Sequence, residues 1–248
     1  MKNNGKKLSI IALIIVLIIG GFLTYGYYQK ATYKLQRPIV SMEIKDYGTI
    51  KIELYPDMAP NTVKNFVKLI NDGFYNGRTF NRVEDILIQG GYPANEETEQ
   101  ANLSINGEFT KNGYDNTLKF ERGTVGIARA DYTEFSSIDA SVTKEGYNSG
   151  YAQFFIITEN IPQFDGYYCS FGRVIEGMEI VDKISKLETE VENDEETGKK
   201  SETTMPVNPP VISNITVDTF GVEYGEPKTH ETFDISRWYL EKIYGLSY

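Results

Sequence analysis

The residues best placed to do chemistry in this chain lie in the run Thr79-Phe80-Asn81-Arg82-Val83-Glu84-Asp85-Ile86-Leu87-Ile88-Gln89-Gly90-Gly91. Arg82, its one cation, stands between Phe80 and the apolar Ile86, Leu87 and Ile88, and the run ends in Gln89 and a glycine pair. A guanidinium is always charged and carries a planar fork of donors, so beside an apolar strand it must meet acceptors or face an open groove. The glycine pair permits close backbone approach to something bound. A surface arginine on an edge strand fits the same residues, and this stretch by itself does not separate the two readings.

Other chemistries lack their groups. His230 is the sole histidine and lies in the C-terminal tail, so a Ser-His-Asp or Cys-His centre would have to be assembled there. Zinc lacks ligands. Asp131, Glu134, Asp139 and Glu145 match no calcium-loop spacing, and the turn-rich Gly146-Tyr147-Asn148-Ser149-Gly150 is followed by no lysine of a phosphate loop. Cys169, the single cysteine, excludes an internal disulfide; within the strand-like Tyr167 to Phe171 it reads as a small buried residue, not a reactive thiol. No metal or cofactor is required. Beyond residue 29, 22 cations face 35 acids, a net charge of −13 that repels nucleic acid.

The elements that must position Arg82 show in the periodicity. Val40, Met42 and Ile44, then Ile50, Ile52 and Leu54, alternate with polar residues around Asp46-Tyr47-Gly48 and predict a hairpin. Pro60, Val63, Phe66, Val67 and Ile70, closed by Asn71-Asp72-Gly73, predict an amphipathic helix. Met178, Val181, Ile184 and Leu187 predict a second over 177–187. Between them, the polar excursion 92–116 reads as one wall of a groove. Residues 131–152 read as a solvated insertion beside that groove. The acidic stretch 188–210, ending in Pro206 and Pro209-Pro210, reads as an exposed, mobile loop. Residues 211–217 resume alternation. Phe233, Ile235, Trp238, Tyr239 and Ile243 can form a short amphipathic helix, with the domain, the stem or a partner open as its docking surface.

At the other end, the 22 residues Leu8 to Gln29 carry no charge. As a helix they span about 33 Å, enough for a hydrocarbon core of about 30 Å. Lys2, Lys6 and Lys7 place the N-terminus on the cytoplasmic side, and Tyr25, Tyr27 and Tyr28 suit an interfacial belt. A cleaved signal peptide is the competing reading and would make the protein secreted. No Ala-x-Ala-like site follows Leu23 and no cysteine there can accept a lipid, which favours a retained single-pass anchor. The expected layout is a start and transmembrane anchor at 1–29, a stem at 30–39, a domain at 40–221 and a tail at 222–248.

Three further stretches stand in order with the Arg82 run: Gly123-Thr124-Val125-Gly126-Ile127-Ala128-Arg129-Ala130, then Gln153-Phe154-Phe155-Ile156-Ile157, then Phe164-Asp165-Gly166 leading to Phe171-Gly172-Arg173-Val174. Together they resemble the cyclophilin-type peptidyl-prolyl cis-trans isomerases, whose pattern is Phe-(His or Asn)-Arg-Val…Gln-Gly-Gly, Gly-x-(Ile or Leu)-x-Met-Ala, Gln-Phe-Phe-Ile and Asp-Gly…Phe-Gly-Val. The resemblance covers roughly residues 40 to 187 and a last strand near 211–220. It implies a mainly β fold, a closed antiparallel barrel of eight strands capped by two helices. It also implies isomerisation of X-Pro bonds in proline-containing polypeptides, here exported proteins outside the membrane. The alternative is a non-catalytic module of the same fold that binds proline-containing segments of a partner. Oligomeric state stays open.

Residue by residue, the resemblance makes Arg82 the catalytic arginine and Gln89 the glutamine that orients it. Phe155 matches the floor of the proline pocket, and Leu87 and Phe164 its aliphatic walls. Ala128, Arg129, Ala130 and Gln153 match the strip that binds the peptide backbone, and Phe80 joins the substrate-binding set. This chain departs from the pattern at Ile86, where a pocket Phe is usual, with one residue fewer between Arg82 and Gln89. It departs again at Gln163 for Trp, at Tyr168 for the pocket His, and at Phe120 for a further His.

Overall fold

The period-two runs become strands whose apolar side turns inward. The computed structural model describes residues 3–32, 36–92, 103–193 and 200–246, with side chains of the first helix described at 13–27. Along the chain run α1 (Asn3–Thr32), β1 (Ile39–Ile44), β2 (Gly48–Leu54), α2 (Pro60–Asn71), β3 (Thr79–Glu84), β4 (Leu87–Tyr92), β5 (Leu103–Ser104), β6 (Thr124–Ile127), α3 (Val142–Tyr147), β7 (Phe154–Ile157), β8 (Ser170–Glu176), α4 (Met178–Ile184), β9 (Thr189–Asn193), β10 (Lys200–Pro206), β11 (Ile212–Asp218), β12 (His230–Glu231) and α5 (Ile235–Tyr244). Val40, Met42 and Ile44 on β1 and Ile50, Ile52 and Leu54 on β2 are buried, and their polar alternates are not.

Eight strands form one antiparallel sheet in the order β11-β1-β2-β8-β6-β7-β4-β3. Its edges, β3 and β11, meet only at an isolated bridge between Thr79 and Val211, flanked by the Phe80 N–H donating to the Pro210 carbonyl and the Ile212 N–H donating to that of Arg78. The closed barrel that the resemblance implies is therefore corrected to a curled half-barrel. Pro209 and Pro210 supply the reason: neither has an N–H, so the chain entering β11 cannot extend a ladder onto β3.

The hollow of the sheet is filled from α2 and α4. Val63, Phe66, Val67 and Ile70 of α2 are buried as their spacing requires, and the Phe66 ring meets Tyr75, Phe154 and Phe171 with centroids 5.0 to 5.6 Å apart. Contacts of this kind make the ring a large contributor, since truncating a buried Phe costs about 3 to 5 kcal/mol. α4 adds Ile180, Val181 and Ile184 and is shorter than expected, because Gly177 at φ 89° starts it and Ser185 ends it. Cys169 lies in this core beside the Thr62 hydroxyl, and burial pushes its thiol up to about 12, which keeps it protonated and unreactive.

Residues 188–210 are not a loop but the hairpin β9–β10, in which Val191 pairs with Glu202. Its acidic tip, 194–199, lies outside the described residues, as does 93–102 of the polar excursion. The rest of that excursion is anchored to the domain. Phe109 enters the main core, and the buried Glu108 carboxylate accepts the N–H groups of Asn61 and Thr62 at 3.0 and 2.8 Å and the Thr62 hydroxyl at 2.9 Å. Pro60 opens α2 and Ala59 offers no side-chain cap, so Glu108 satisfies donors the helix leaves open and sits where the dipole favours an anion.

The tail packs on the domain. Residues 37–248 form one compact unit, wider than 40–221. His230 and Glu231 pair with Ser104 and Leu103, and α5 is capped by the Asp234 carboxylate accepting the Arg237 N–H at 2.9 Å. Its aromatic face meets the insertion: Phe135 contacts Trp238 and Tyr239 at 5.7 and 5.9 Å, and Tyr132 contacts Phe233 at 6.1 Å. Lys242 reaches Asp139 at 3.1 Å; the Ser141 hydroxyl and amide, with that lysine, hold the carboxyl down at about 2. The insertion is thus partly covered, not simply solvated. In the other unit, 1–36, α1 is continuous from Asn3 to Thr32, and Leu13 to Leu23 is mostly exposed. Among the described residues no helix is long and apolar enough to cross a membrane, and the expected span 8–29 runs beyond the described side chains at both ends.

Replacing Glu108 with Ala removes three hydrogen bonds from one helix end. We expect a loss of about 2 to 3 kcal/mol in unfolding free energy, read as a lower denaturant midpoint at unchanged m-value. An unchanged midpoint would refute this role.

Candidate active site

The direction in which Arg82 points is set by one extra residue. In the ladder between β3 and β4, Phe80 faces Gly90 and Arg82 faces Gln89, so Asn81 is a bulge with no partner of its own. Strict alternation would put Arg82 on the same side as Phe80. With the bulge, Phe80 and Val83 both enter the main core, and Arg82 emerges on the outer face with 42% of its side chain exposed. This corrects the expectation for Phe80. It is fully buried against Phe154 and meets no substrate-facing surface.

Register then carries the site across the sheet. Arg82 pairs with Gln89, Gln89 with Phe155, and Phe155 with Gly126, so these four residues of β3, β4, β7 and β6 share one rung. Adjacent strands lie about 4.8 Å apart, which puts the Arg82 backbone some 10 Å from that of Phe155. The side chains link up: an Arg82 Nη1–H donates to Gln89 Oε1 at 3.2 Å, and Gln89 Nε2 donates to Gln153 Oε1 at 2.9 Å. Gln89 has one acceptor oxygen and one amide, and each is committed to a neighbour, so its orientation is fixed.

Around Phe155 a second apolar cluster forms, separate from the main core. It holds Leu87, Phe120, Phe155, Ile157 and Ile161, with the half-buried Ile86, Ala128, Phe164 and Tyr168 at its rim. Phe155 keeps 3% exposure. Phe120 stacks on it at 5.7 Å and 21°, while Phe164 and Tyr168 meet it edge-on at 5.9 and 5.8 Å. Gly126 makes this possible, because a Cβ there would lie 2.4 Å from Phe155 Cζ and 2.8 Å from the Phe120 ring. Asp165 fastens the rim: its carboxylate accepts the Phe120 N–H at 2.9 Å and meets Lys119 at 3.3 Å.

The remaining predicted residues divide. Ile86, Leu87, Phe164 and Tyr168 stand in or around the cluster. Gln153 braces Gln89, and its carbonyl accepts the Ala128 N–H at 2.9 Å, so that amide is not open to a peptide. The Ala130 N–H is likewise taken, by the Ser149 hydroxyl at 2.7 Å. The Arg129 side chain turns onto the chain's own surface, with its guanidinium 4.4 Å from the Tyr168 ring and 4.9 Å from that of Tyr147, and with bonds to the carbonyls of Tyr167 and Ala130. It ties the insertion to the pocket rim. The glycine pair serves the fold and not a ligand: a Cβ on Gly90 would meet Phe80 at 2.9 Å, and one on Gly91, at φ 84°, the Ala152 carbonyl at 2.7 Å. Gln163 is exposed.

Sequence reasoning left Phe120, Ile157, Ile161, Gly126 and Glu84 out of the site. Ile157 was within reach, since it lies two residues beyond Phe155 on the same face. Glu84 stands in the same relation to Arg82, and its Oε1 accepts Arg82 Nε–H at 2.7 Å and lies 2.6 Å from Nη2. A fixed guanidinium beside an aromatic-floored apolar cluster can hydrogen-bond a weakly basic or carbonyl group of something lodged on the cluster. Among the described residues no group of His, Cys, Asp and Glu could hold a metal ion.

Comparisons with known proteins give the family. Residues 39–217 match the family described as cyclophilin type peptidyl-prolyl cis-trans isomerase/CLD. Peptidyl-prolyl cis-trans isomerase B of Bacillus subtilis is 35% identical over 143 residues, 57% of this chain and 87% of that protein. The peptidyl-prolyl cis-trans isomerase of Acinetobacter baylyi is 32% identical over 176 residues, 71% of this chain and 83% of that one. Among solved structures, a Cryptosporidium parvum cyclophilin type peptidyl-prolyl cis-trans isomerase, crystallised in the presence of the dipeptide Ala-Pro, superposes with a TM-score of 0.54 at 25% identity, covering 73% of this chain and 98% of that one. With a match across nearly the whole sheet and an Arg-Gln-Phe rung on its outer face, the chain belongs to the cyclophilin-type peptidyl-prolyl cis-trans isomerases.

Proposed function

We propose that Arg82, Gln89 and the Phe155 cluster are the isomerising centre, and that the protein works on exported polypeptides folding outside the membrane. The observation that carries the first part is the shared rung, which sets one oriented guanidinium beside one apolar floor. Rotation about an X-Pro bond faces a barrier of about 18 to 20 kcal/mol because resonance stiffens the C–N bond. Pyramidal prolyl nitrogen has lost that resonance and accepts a hydrogen bond that the planar amide cannot. A donor placed there stabilises the twisted state more than the ground state, which is the condition for a faster chemical step. The proline ring lies on Phe155 within the rim of Ile86, Ala128, Phe164 and Tyr168, and Gln89 holds Arg82 toward it. No nucleophile, metal or redox group takes part.

The second part rests on the uncharged stretch Leu8 to Gln29 behind three lysines, and on α1, which is continuous from Asn3 to Thr32. Such a helix retained in the bilayer keeps the acidic domain at the outer surface, next to emerging clients. The clients are proline-containing segments.

Three outcomes are expected. In a coupled assay with an X-Pro test peptide, Arg82→Ala loses about 1.5 to 3 kcal/mol of transition-state stabilisation, roughly 10- to 150-fold in kcat/KM, at unchanged circular dichroism. Full activity in that variant would remove Arg82 from the mechanism. Gly126→Ala pushes the Phe155 and Phe120 rings toward the pocket, so the fold survives at a cost of about 1 to 3 kcal/mol while peptide KM rises several-fold; an unaltered KM would mean that substrate does not sit on Phe155. In cells, the protein stays with the membrane after alkaline carbonate washing and is digested by protease added from outside. Release into the wash, or protection from that protease, would defeat the anchored, outward-facing arrangement.

A further inference from the structure

Arg82 has five N–H donors, and only some of them face solvent. One is taken by Gln89 Oε1 at 3.2 Å. Glu84 Oε1 takes the Nε–H at 2.7 Å and lies 2.6 Å from Nη2. That leaves two donors, one on each terminal nitrogen, at the end of the fork. Glu84 stands two residues beyond Arg82 on the outer face of β3, and its backbone is held in the ladder opposite Leu87. Its side chain is 26% exposed, less than that of the arginine it holds.

We infer that Glu84 is a positioning residue for Arg82, fixing the plane of the guanidinium so that its two remaining donors face the ring seat on Phe155. This rests on the isomerase reading above. A guanidinium held by Gln89 alone can swing about that single contact. Adding a second acceptor that engages two further N–H groups defines a plane, and the flexible arginine stem loses its freedom before substrate arrives. The opposite role, a carboxylate that competes with substrate for the arginine, would need Glu84 to cover the end of the fork. It occupies the side edge instead, because Nε is among its partners.

The test uses the full chain. In Glu84→Ala we expect kcat to fall about three- to fivefold with KM within twofold, since a pre-ordered partly exposed ion pair is of that order. Glu84→Gln retains an oxygen able to accept both bonds and should keep at least half of kcat. Glu84→Asp sets the carboxylate one carbon short and should resemble Ala, which covers the case in which Ala folds poorly. Independently of turnover, the Arg82 Nε–H resonance, assigned by its absence in Arg82→Ala, should be rigid and slowly exchanging in the wild type and mobile in Glu84→Ala. An unchanged or raised kcat in Glu84→Ala, or a mobile Nε–H in the wild type, overturns the inference. A rigid Nε–H in a wild type without turnover would instead sink the isomerase reading and leave the contact standing.

Discussion

The site depends on cross-strand register. A strand has only two faces, so a slip of one residue in β3 would send Arg82 into the main core and Phe80 into solvent. The bulge at Asn81 resolves this conflict, because it lets Phe80 and Val83 both face inward with the arginine between them on the outside. From there, pairing of Gln89 with Phe155 and of Phe155 with Gly126 needs no further device. The guanidinium, the amide that turns it and the aromatic floor are neighbours because their strands are.

The same sheet therefore works with both sides. One rung inward from the site, Val83, Ile88, Ile156 and Val125 line up in the main core. Outward, Leu87, Phe155 and Ile157 belong to the smaller cluster. A sheet buried on both faces reads as continuous apolar sequence, and Phe154-Phe155-Ile156-Ile157 is such a run. Its outer half is covered by Phe120, Ile161, Phe164 and Tyr168, held by the hydrogen bond between Asp165 and the Phe120 amide.

Much of this was legible in the sequence and some was not, for identifiable reasons. The hairpin at 39–54 and helix α2 follow from alternation and from 3.6-residue spacing, signals that are local. Arg82, Gln89, Phe155, Leu87 and Phe164 were legible through their motifs. What failed was whatever depends on partners distant in sequence. Phe80 could be assigned to the core only by knowing of a bulge, which no local pattern announces. Glu108 could be understood only beside the open end of α2, and the aromatic side of α5 only beside Phe135. Arg129 shows a further limit, since its side chain left the groove for three rings that converge on it from separate segments.

The placing of β1 has its own consequence. It lies between β2 and β11, and Ile39 has Asp218 as its partner. Half of its hydrogen bonds must wait until nearly the entire chain is available, and the entropy of closing so long a loop is met before that ladder returns anything. A helper of slow backbone rotation is thus itself built on a late, long-range closure, and its own assembly is a race between sheet completion and the exposure of an unpaired first strand.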